Sequence, residues 1–184
     1  MTPGRRAVFL DRDGVIVEAF VRGGRPHSPG CLAELVIPPE TKECLDRLKE
    51  RGFLLIVVTN QPEVARGTLS SAVLESMHQY IRRQLPLDEI LVCHHDDADD
   101  CPCRKPRPGL ILEAGRRHGI ALELSFLIGD RWRDVEAGGN AGCTTILIDF
   151  GYREREPDRA PGARVSSLRE ATDWILARTP PKIT

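Results

Sequence analysis

The sequence predicts an α/β fold in which one doubly wound, Rossmann-like parallel sheet carries helices on both faces. Five apolar runs recur along the chain, at residues 7–10, 53–58, 89–92, 125–128 and 145–148. Segments with the spacing of amphipathic helices separate these runs. The runs are nearly continuous in apolar residues, which is typical of parallel strands buried on both faces. The 184 residues suit a single domain, 1–184.

Helical spacing of apolar residues is found in five segments: 39–51, 70–85, 108–118, 132–141 and 167–177. Glycine follows three of them directly, at Gly52, Gly119 and Gly142. Glycine accepts the left-handed conformation in which many helices end, so these three positions mark helix ends. The last segment is apolar on one side only, and we expect it to pack on the edge of the sheet.

Composition excludes several classes of protein. Apolar residues make up 41% of the chain and charged residues 29%, and the formal net charge is −1. A general nucleic-acid or membrane-surface binder usually carries a basic excess, so we expect neither partner. The longest strongly apolar run, residues 53–58, is too short to span a bilayer. Charges near the amino terminus interrupt any signal-peptide core, so we expect a cytoplasmic protein. We also expect a monomer.

Two segments exceed the needs of a minimal α/β unit. Residues 18–37 form a long insertion, rich in Gly, Arg and Pro, directly after the first strand. Loops of that length are usually functional, and this position favours a loop that covers a substrate, without a large cap domain. Arg22 and Arg25 within it either face the substrate or are solvated. Residues 153–164 are charged and contain Pro, which indicates a solvated surface connection.

The first strand ends on Asp11-Arg12-Asp13-Gly14. Residues two apart in extended chain project to the same side, so both carboxylates can face one point beyond the strand. In open α/β sheets, ligands bind at the carboxyl ends of the strands. A calcium loop is the alternative, but it requires Glu at its twelfth position, which is Arg22 here.

Further polar side chains follow later strands or precede a helix: Thr59, Asn60 and Gln61, then Arg104 and Lys105, then Asp130 and Asp134. A hydroxyl and amides can donate hydrogen bonds to an oxyanion, and cationic side chains at the start of a helix suit phosphate. Residues 59–61 also suit an ordinary turn. Asp134 lies one helical turn after Asp130, and either a capping or a catalytic role fits it.

Three of the six cysteines fall within eleven residues, at Cys93, Cys101 and Cys103. With His95 they offer three thiolates and an imidazole, the donor set of a closed, structural Zn²⁺ site in the loop 93–103. His94 is the alternative imidazole, but one intervening residue lets Cys93 and His95 converge, as Cys101 and Cys103 do. The remaining cysteines, Cys31, Cys44 and Cys143, suit buried free thiols.

In this order the motifs resemble the haloacid dehalogenase (HAD) superfamily of phosphohydrolases, over residues 8–148. The resemblance implies that Asp11 is the nucleophile and Asp13 the general acid/base. It implies that Thr59 and Lys105 hold the phosphoryl group. It also implies that Asp11, Asp130 and the backbone carbonyl of Asp13 bind Mg²⁺.

The zinc loop followed by Arg-Lys-Pro resembles the subgroup that contains heptose 1,7-bisphosphate 7-phosphatases and histidinol phosphatases. Residues 64–67, Val-Ala-Arg-Gly, resemble the heptose enzymes, whereas the five residues between His95 and Cys101 resemble the histidinol phosphatases. The expected activity is removal of the C7 phosphate from D-glycero-D-manno-heptose 1,7-bisphosphate. Histidinol-phosphate hydrolysis and a non-catalytic, zinc-stabilised binding module are the alternatives. The predicted substrate contacts are Asn60, Gln61, Arg104 and Arg131.

Overall fold

The computed structural model describes residues 4–180, and its centre is a six-stranded parallel sheet. The sheet strands are β1 Ala7–Leu10, β4 Leu54–Asn60, β5 Glu89–Cys93, β6 Phe126–Gly129, β7 Thr144–Ile148 and β8 Ala163–Val165. Their order across the sheet is β5-β4-β1-β6-β7-β8. The chain therefore runs outward from β1 in one direction and then returns to run outward in the other. The predicted doubly wound α/β fold is confirmed, and its switch point lies at the carboxyl end of β1.

Five helices cover the sheet within the described part of the chain: α1 Thr41–Glu50, α2 Ser71–Gln84, α3 Gly109–His118, α4 Trp132–Ala141 and α5 Leu168–Arg178. Alternate residues of β1 face opposite layers, as a pleated strand requires. Val8 and Leu10 lie in the core beneath α1, α2 and α5. Ala7 and Phe9 lie in the core beneath α3 and α4.

The last helix packs against β8, the strand at one edge of the sheet, as expected, and it also contacts β6, β7 and α1. It lies beside α1 on one face, where Ala171 and Ile175 are fully buried. Trp174 packs edge-on against Phe126 of β6, with ring centroids 6.3 Å apart. The edge strand itself, β8, was not predicted, and it pairs with β7 from Ile146–Ala163 to Ile148–Val165. This strand has only three residues and no apolar run, so the sequence did not predict it. The interpretation of residues 153–164 as a surface connection alone was therefore wrong, because β8 begins within that range.

The insertion 18–37 has secondary structure that its sequence did not predict. Strands β2 Phe20–Arg22 and β3 Arg25–His27 pair antiparallel to form a hairpin. Gly23 and Gly24 form its tip with φ of 61° and 79°, as a two-residue hairpin turn requires. Both strands are mostly exposed and therefore lack the apolar alternation that identifies a half-buried strand. The insertion is thus a small hairpin followed by a short turn of helix, and not a cap domain.

None of the helices among residues 4–180 has both the length and the apolar composition that crossing a bilayer requires.

Candidate active site

The carboxyl ends of β1, β4 and β6 bring the predicted polar residues to one edge of the sheet. Asp11 follows β1, and its backbone N–H donates to the carbonyl of Ile128 in β6 at 3.0 Å. Gly14 then turns the chain with φ of 81°, and a Cβ there would lie 2.0 Å from Oδ2 of Asp130. Only glycine allows this close approach, so the Asp-x-Asp-Gly turn presses directly against the carboxylate that follows β6.

Three buried carboxylates converge in the resulting cavity. Oxygens of Asp11, Asp130 and Asp134 lie within 4.8 Å of one another. Both oxygens of Asp130 are buried and have no hydrogen-bond partner among the described residues. Burial raises the pKa of Asp11 to about 6, and the charges of Asp134 and Asp13 add to the rise while Lys105 opposes it. Burial, with the charges of Asp11 and Asp134, also raises the pKa of Asp130, and the nearby hydroxyl of Tyr152 only partly opposes this rise. Buried charges require a counterion, and an all-oxygen donor set suits Mg²⁺.

Lys105 brings positive charge directly to the carboxylates of this cavity. Its side chain is buried, and Nζ lies 2.9 Å from Oδ1 of Asp11 and 2.5 Å from Oδ1 of Asp134. Burial favours the neutral amine, but the charges of Asp11 and Asp134 raise the pKa of Lys105 above its ordinary value. Asn60 holds the backbone of Lys105 with two hydrogen bonds of 3.1 Å, donated by its amide and accepted by its carbonyl.

Asp134 caps the following helix, as its sequence position allowed, and it also forms an ion pair in the cavity. Its Oδ2 accepts a hydrogen bond from the backbone N–H of Arg131 at 3.1 Å and so caps the start of α4. Its Oδ1 pairs with Lys105 in the cavity. A side chain that caps a helix is held rigidly, so Asp134 fixes the ammonium of Lys105 relative to Asp11.

Asp13 is held by residues on three separate segments. Nε and Nη2 of Arg12 donate to its two oxygens at 2.9 Å each. The amide of Gln61 and the hydroxyl of Ser28 both donate to its Oδ2, also at 2.9 Å. Arg12 is fully buried and makes a further contact of 3.2 Å with Nε2 of His78 on α2. Burial, and then the charge of Arg12, lower the pKa of His78 to about 4, so its ring is neutral.

Gln61 was predicted to contact substrate, and its environment does not fit that role. The side chain is fully buried. Its amide nitrogen donates to Asp13 and to the hydroxyl of Thr59, and its oxygen accepts from Arg12. A short polar segment does not indicate which of its residues is buried, so the sequence did not predict the burial of Gln61. Thr59 is buried as well, but its own hydroxyl hydrogen has no acceptor among the described residues.

A cluster of metal-ligand type lies in the loop after β5. The sulfurs of Cys93, Cys101 and Cys103 are 3.3–3.6 Å apart, and Nδ1 of His95 lies 3.3 Å from Sγ of Cys103. His94 is not part of this group. Burial raises the pKa of the Cys93 thiol, a cost that a bound cation offsets. Outside the cluster Cys44 and Cys143 are buried as expected, whereas Cys31 is exposed.

The loop 93–103 also positions Arg104, which lies at the wall of a second and larger cavity. Nε of Arg104 donates to Oδ1 of Asp97 at 2.8 Å, and Nη1 donates to the carbonyl of His95 at 3.1 Å. The second cavity has a volume of about 580 Å³ and adjoins the carboxylate cavity at Asn60 and Ser28. Its charged lining consists of Arg25, Arg66, Arg104, Arg131, Arg133, Arg153 and Arg155, with Glu63, Asp97 and Glu154. We call it the arginine cavity.

Sequence reasoning did not find most of the arginine cavity. Arg131 was predicted as a substrate contact and lies on its wall, paired with Glu154. Arg133 and Arg155 flank the ring of Trp132, within 4.7 and 3.6 Å of its centroid. The arginines come from the hairpin, the loops after β4 and β5, the start of α4 and the loop before β8, and no local motif joins them.

Comparisons with known proteins agree with this geometry. A family model described as HAD-hydrolase-like matches residues 102–171. The chain is 33% identical over 183 residues to the D-glycero-beta-D-manno-heptose-1,7-bisphosphate 7-phosphatase of Helicobacter pylori, covering 95% of this chain and 99% of that protein.

Solved structures show the same relationship. A heptose 1,7-bisphosphate phosphatase from B. bronchiseptica, complexed with magnesium and phosphate, superposes with a TM-score of 0.77 at 26% identity, over 94% of this chain and 99% of that one. A HAD-like phosphatase from Mesorhizobium loti gives a TM-score of 0.78 at 28% identity, over 98% and 90%. The chain therefore belongs to the HAD-like hydrolases, in the family of the D-glycero-D-manno-heptose 1,7-bisphosphate 7-phosphatases.

Proposed function

We propose that this chain, acting as one domain, is a phosphatase that removes the C7 phosphate of D-glycero-D-manno-heptose 1,7-bisphosphate. The observation that carries the proposal is the pair of adjoining cavities. One is small and holds the carboxylates with Lys105, and the other is lined mainly by arginine. A substrate with two phosphates can place one in each. The relatives named for this reaction support the same substrate.

Asp11 is proposed as the nucleophile. Its Oδ1 already accepts from the backbone N–H of Arg12 at 2.8 Å and lies 2.9 Å from Lys105, which leaves Oδ2 for attack. Attack on phosphorus forms an acyl phosphate on Asp11 and breaks the bond to the sugar oxygen, which takes a proton from Asp13. Water then attacks phosphorus, Asp13 accepts the proton, and inorganic phosphate leaves. Lys105 and Thr59 hold the phosphoryl oxygens and offset their repulsion from Asp11.

The proposed Mg²⁺ ligands are Asp11, Asp130 and the backbone carbonyl of Asp13. The two unpartnered, buried oxygens of Asp130 fit this assignment, because a buried carboxylate without a donor or a cation is costly. When bound, Mg²⁺ supplies positive charge to the phosphoryl oxygens and the nucleophile. Asp134 faces the same point, but its pairing with Lys105 and its capping bond leave it as a neighbour of the ion.

A structural Zn²⁺ is proposed at Cys93, His95, Cys101 and Cys103. The donor set is complete, so no position is left open for chemistry. The loop that these residues hold also carries Asp97, which accepts a hydrogen bond from Arg104. Zinc thereby positions Arg104 and, next to it in the chain, Lys105.

The arginine cavity distinguishes the two candidate substrates. Five of the seven arginines on its wall form ion pairs with carboxylates, whereas Arg25 and Arg153 form none among the described residues and leave positive charge for a ligand. Guanidinium groups bind phosphate through forked hydrogen bonds, which suits the C1 phosphate of the heptose. Histidinol phosphate carries a cationic amine at its far end, and an excess of positive charge repels it. We therefore favour the bisphosphate.

The test compares kcat/KM for the α- and β-heptose bisphosphates, histidinol phosphate and p-nitrophenyl phosphate, all with Mg²⁺. We expect the bisphosphate to be the best substrate. Higher efficiency on histidinol phosphate would refute the assignment, and no hydrolysis of any of these substrates would favour a binding module.

Arg104→Ala tests the second phosphate site. Charge-assisted contacts contribute about 1.5–3 kcal/mol, so the loss on the bisphosphate should be about ten- to a hundred-fold. The loss on p-nitrophenyl phosphate, which has no distal group, should be much smaller. Arg116→Ala, at an exposed position on α3, is the matched control. An equal loss on both substrates would place Arg104 at the reacting phosphate instead.

A further inference from the structure

The hairpin insertion contributes one hydrogen bond to the candidate general acid. Asp13 accepts from Arg12, Gln61 and Ser28. Arg12 is its chain neighbour, and Gln61 follows a strand of the central sheet. Ser28 alone comes from the insertion, just after β3, and lies 2.9 Å from Oδ2 of Asp13.

The insertion is anchored at both ends, so Ser28 is held in place. At its base, the N–H of Glu18 donates to the carbonyl of Val36 at 2.9 Å. At its tip, the N–H of Arg153 donates to the carbonyl of Gly24 at 2.8 Å. A Cβ on Gly24 would lie only 2.8 Å from Cγ and Cδ of Arg153, so this contact is close. Ser28 itself lines both the carboxylate cavity and the arginine cavity.

Ser28 differs chemically from the other two donors to Asp13. The guanidinium of Arg12 can only donate, and the oxygen of Gln61 already accepts from Arg12, which leaves only its amide hydrogens for Asp13. A hydroxyl can donate or accept. Ser28 can therefore stay bonded to the Asp13 carboxyl before and after that group passes its proton to the leaving oxygen.

We propose that Ser28 is a positioning residue that aims the Asp13 carboxyl at the leaving-group oxygen, so that the insertion serves proton transfer as well as enclosing the substrate. This inference rests on the proposed reaction, with Asp11 as nucleophile and Asp13 as acid, but not on the identity of the sugar. Without Ser28, the three remaining hydrogen bonds hold Asp13 toward Arg12 and Gln61. Attack by Asp11 continues, while protonation of a poor leaving group becomes slower.

Leaving-group dependence is the observable that tests this proposal. Aryl phosphates with acidic phenols need little proton donation, and alkyl phosphates need a full proton transfer. The ratio kcat/KM reports the steps up to departure of the leaving group, whereas kcat also includes hydrolysis of the acyl phosphate, which is common to all substrates. We expect Ser28→Ala to lower kcat/KM about two-fold for p-nitrophenyl phosphate and about ten-fold for a simple alkyl phosphate. Across a series of substituted phenyl phosphates, the loss should grow with the pKa of the phenol.

Ser28→Thr keeps the hydroxyl and should restore the alkyl-phosphate rate to within about three-fold of wild type. Ser76→Ala, an exposed serine that bonds only within α2, is the matched control. A loss that is equal for all leaving groups, no loss at all, or a failure of Ser28→Thr to recover activity would overturn the proposal. Failure of the wild-type protein to hydrolyse any phosphate ester would instead refute the proposed function.

Discussion

Asp130→Asn should stabilise the protein in the absence of Mg²⁺ and abolish most of its response to Mg²⁺. The wild-type carboxylate is buried, its two oxygens have no hydrogen-bond partner among the described residues, and it faces Asp11 and Asp134. Replacing the carboxylate with an amide keeps the shape of the side chain, so Gly14 still packs against it. The replacement also removes one buried negative charge. The amide is itself a buried polar group without a partner, which offsets part of the benefit. The net gain in the free energy of unfolding should therefore lie at the low end of the usual range for such a group, about 1 kcal/mol.

The expected shifts follow from the size of the chain. For a protein of this length, 1 kcal/mol changes the Tm by about 2–4 °C. Mg²⁺ at a hundred times its Kd raises the free energy of unfolding of the wild type by about 2.7 kcal/mol, and its Tm by about 5–11 °C. Asp130→Asn should therefore start about 2–4 °C higher than wild type and gain less than half as much from Mg²⁺.

The stability gain should also depend on pH. Burial raises the pKa of Asp130 well above its ordinary value of 3.8. The folded state therefore holds this proton more tightly than the unfolded state, and wild-type stability falls as pH rises above 3.8. The asparagine does not titrate, so the advantage of the variant should be small near pH 4 and grow toward neutral pH.

The assay is thermal unfolding with and without Mg²⁺, in buffer free of chelators so that the Zn²⁺ proposed for the loop 93–103 is not removed. Asp158→Asn, at a carboxylate whose side chain is 82% exposed, is the control and should leave both measurements unchanged. A variant that is less stable than wild type without Mg²⁺ and still shows the full Mg²⁺ shift would refute the reasoning.

Three further predictions concern the nucleophile, the zinc loop and the hairpin. Asp11→Asn should lower kcat by several orders of magnitude with the fold intact by circular dichroism; near-normal turnover, with deamidation excluded by mass spectrometry, would remove it from the nucleophile role. Cys101→Ser and His95→Ala should lower zinc content below one per chain and reduce the Tm, whereas His94→Ala should retain the metal. Elemental analysis measures the zinc content, and a full zinc content in His95→Ala would show that His95 is not the ligand. Gly24→Val places a branched side chain at φ of 79° and against Arg153, so it should raise KM for the bisphosphate several-fold. An unchanged KM would show that the hairpin tip is not needed for binding.

Much of the fold was predictable because its signals are local. The apolar runs of β1 and β4 and the glycines after α3 and α4 each depend on a few adjacent residues. Asp11 and Asp130 were predictable for the same reason, because each directly follows a strand and a parallel sheet gathers such ends at one edge. The cysteine cluster likewise lies within eleven residues of chain.

The errors occurred where the local signal was weak. Strand β8 has three residues of intermediate or exposed character and takes part in the sheet only because β7 offers an unpaired edge. The hairpin β2–β3 is exposed and leaves no apolar pattern. The apolar side of α5 was correctly expected at the edge of the sheet, but its packing beside α1 depends on residues far away in the chain.

The sequence by itself determined the α/β fold, the carboxylates and the lysine of the proposed reacting centre, and the four residues of the candidate metal cluster. Only the tertiary structure decided that Arg12 is buried against His78, that Gln61 lies behind Asp13, and that Ser28 reaches back to it. The reason is physical: burial and charge pairing depend on groups that are close in space but distant in the chain. Arg12 and His78 are 66 residues apart, and only the packing of α2 on the sheet brings them within 3.2 Å.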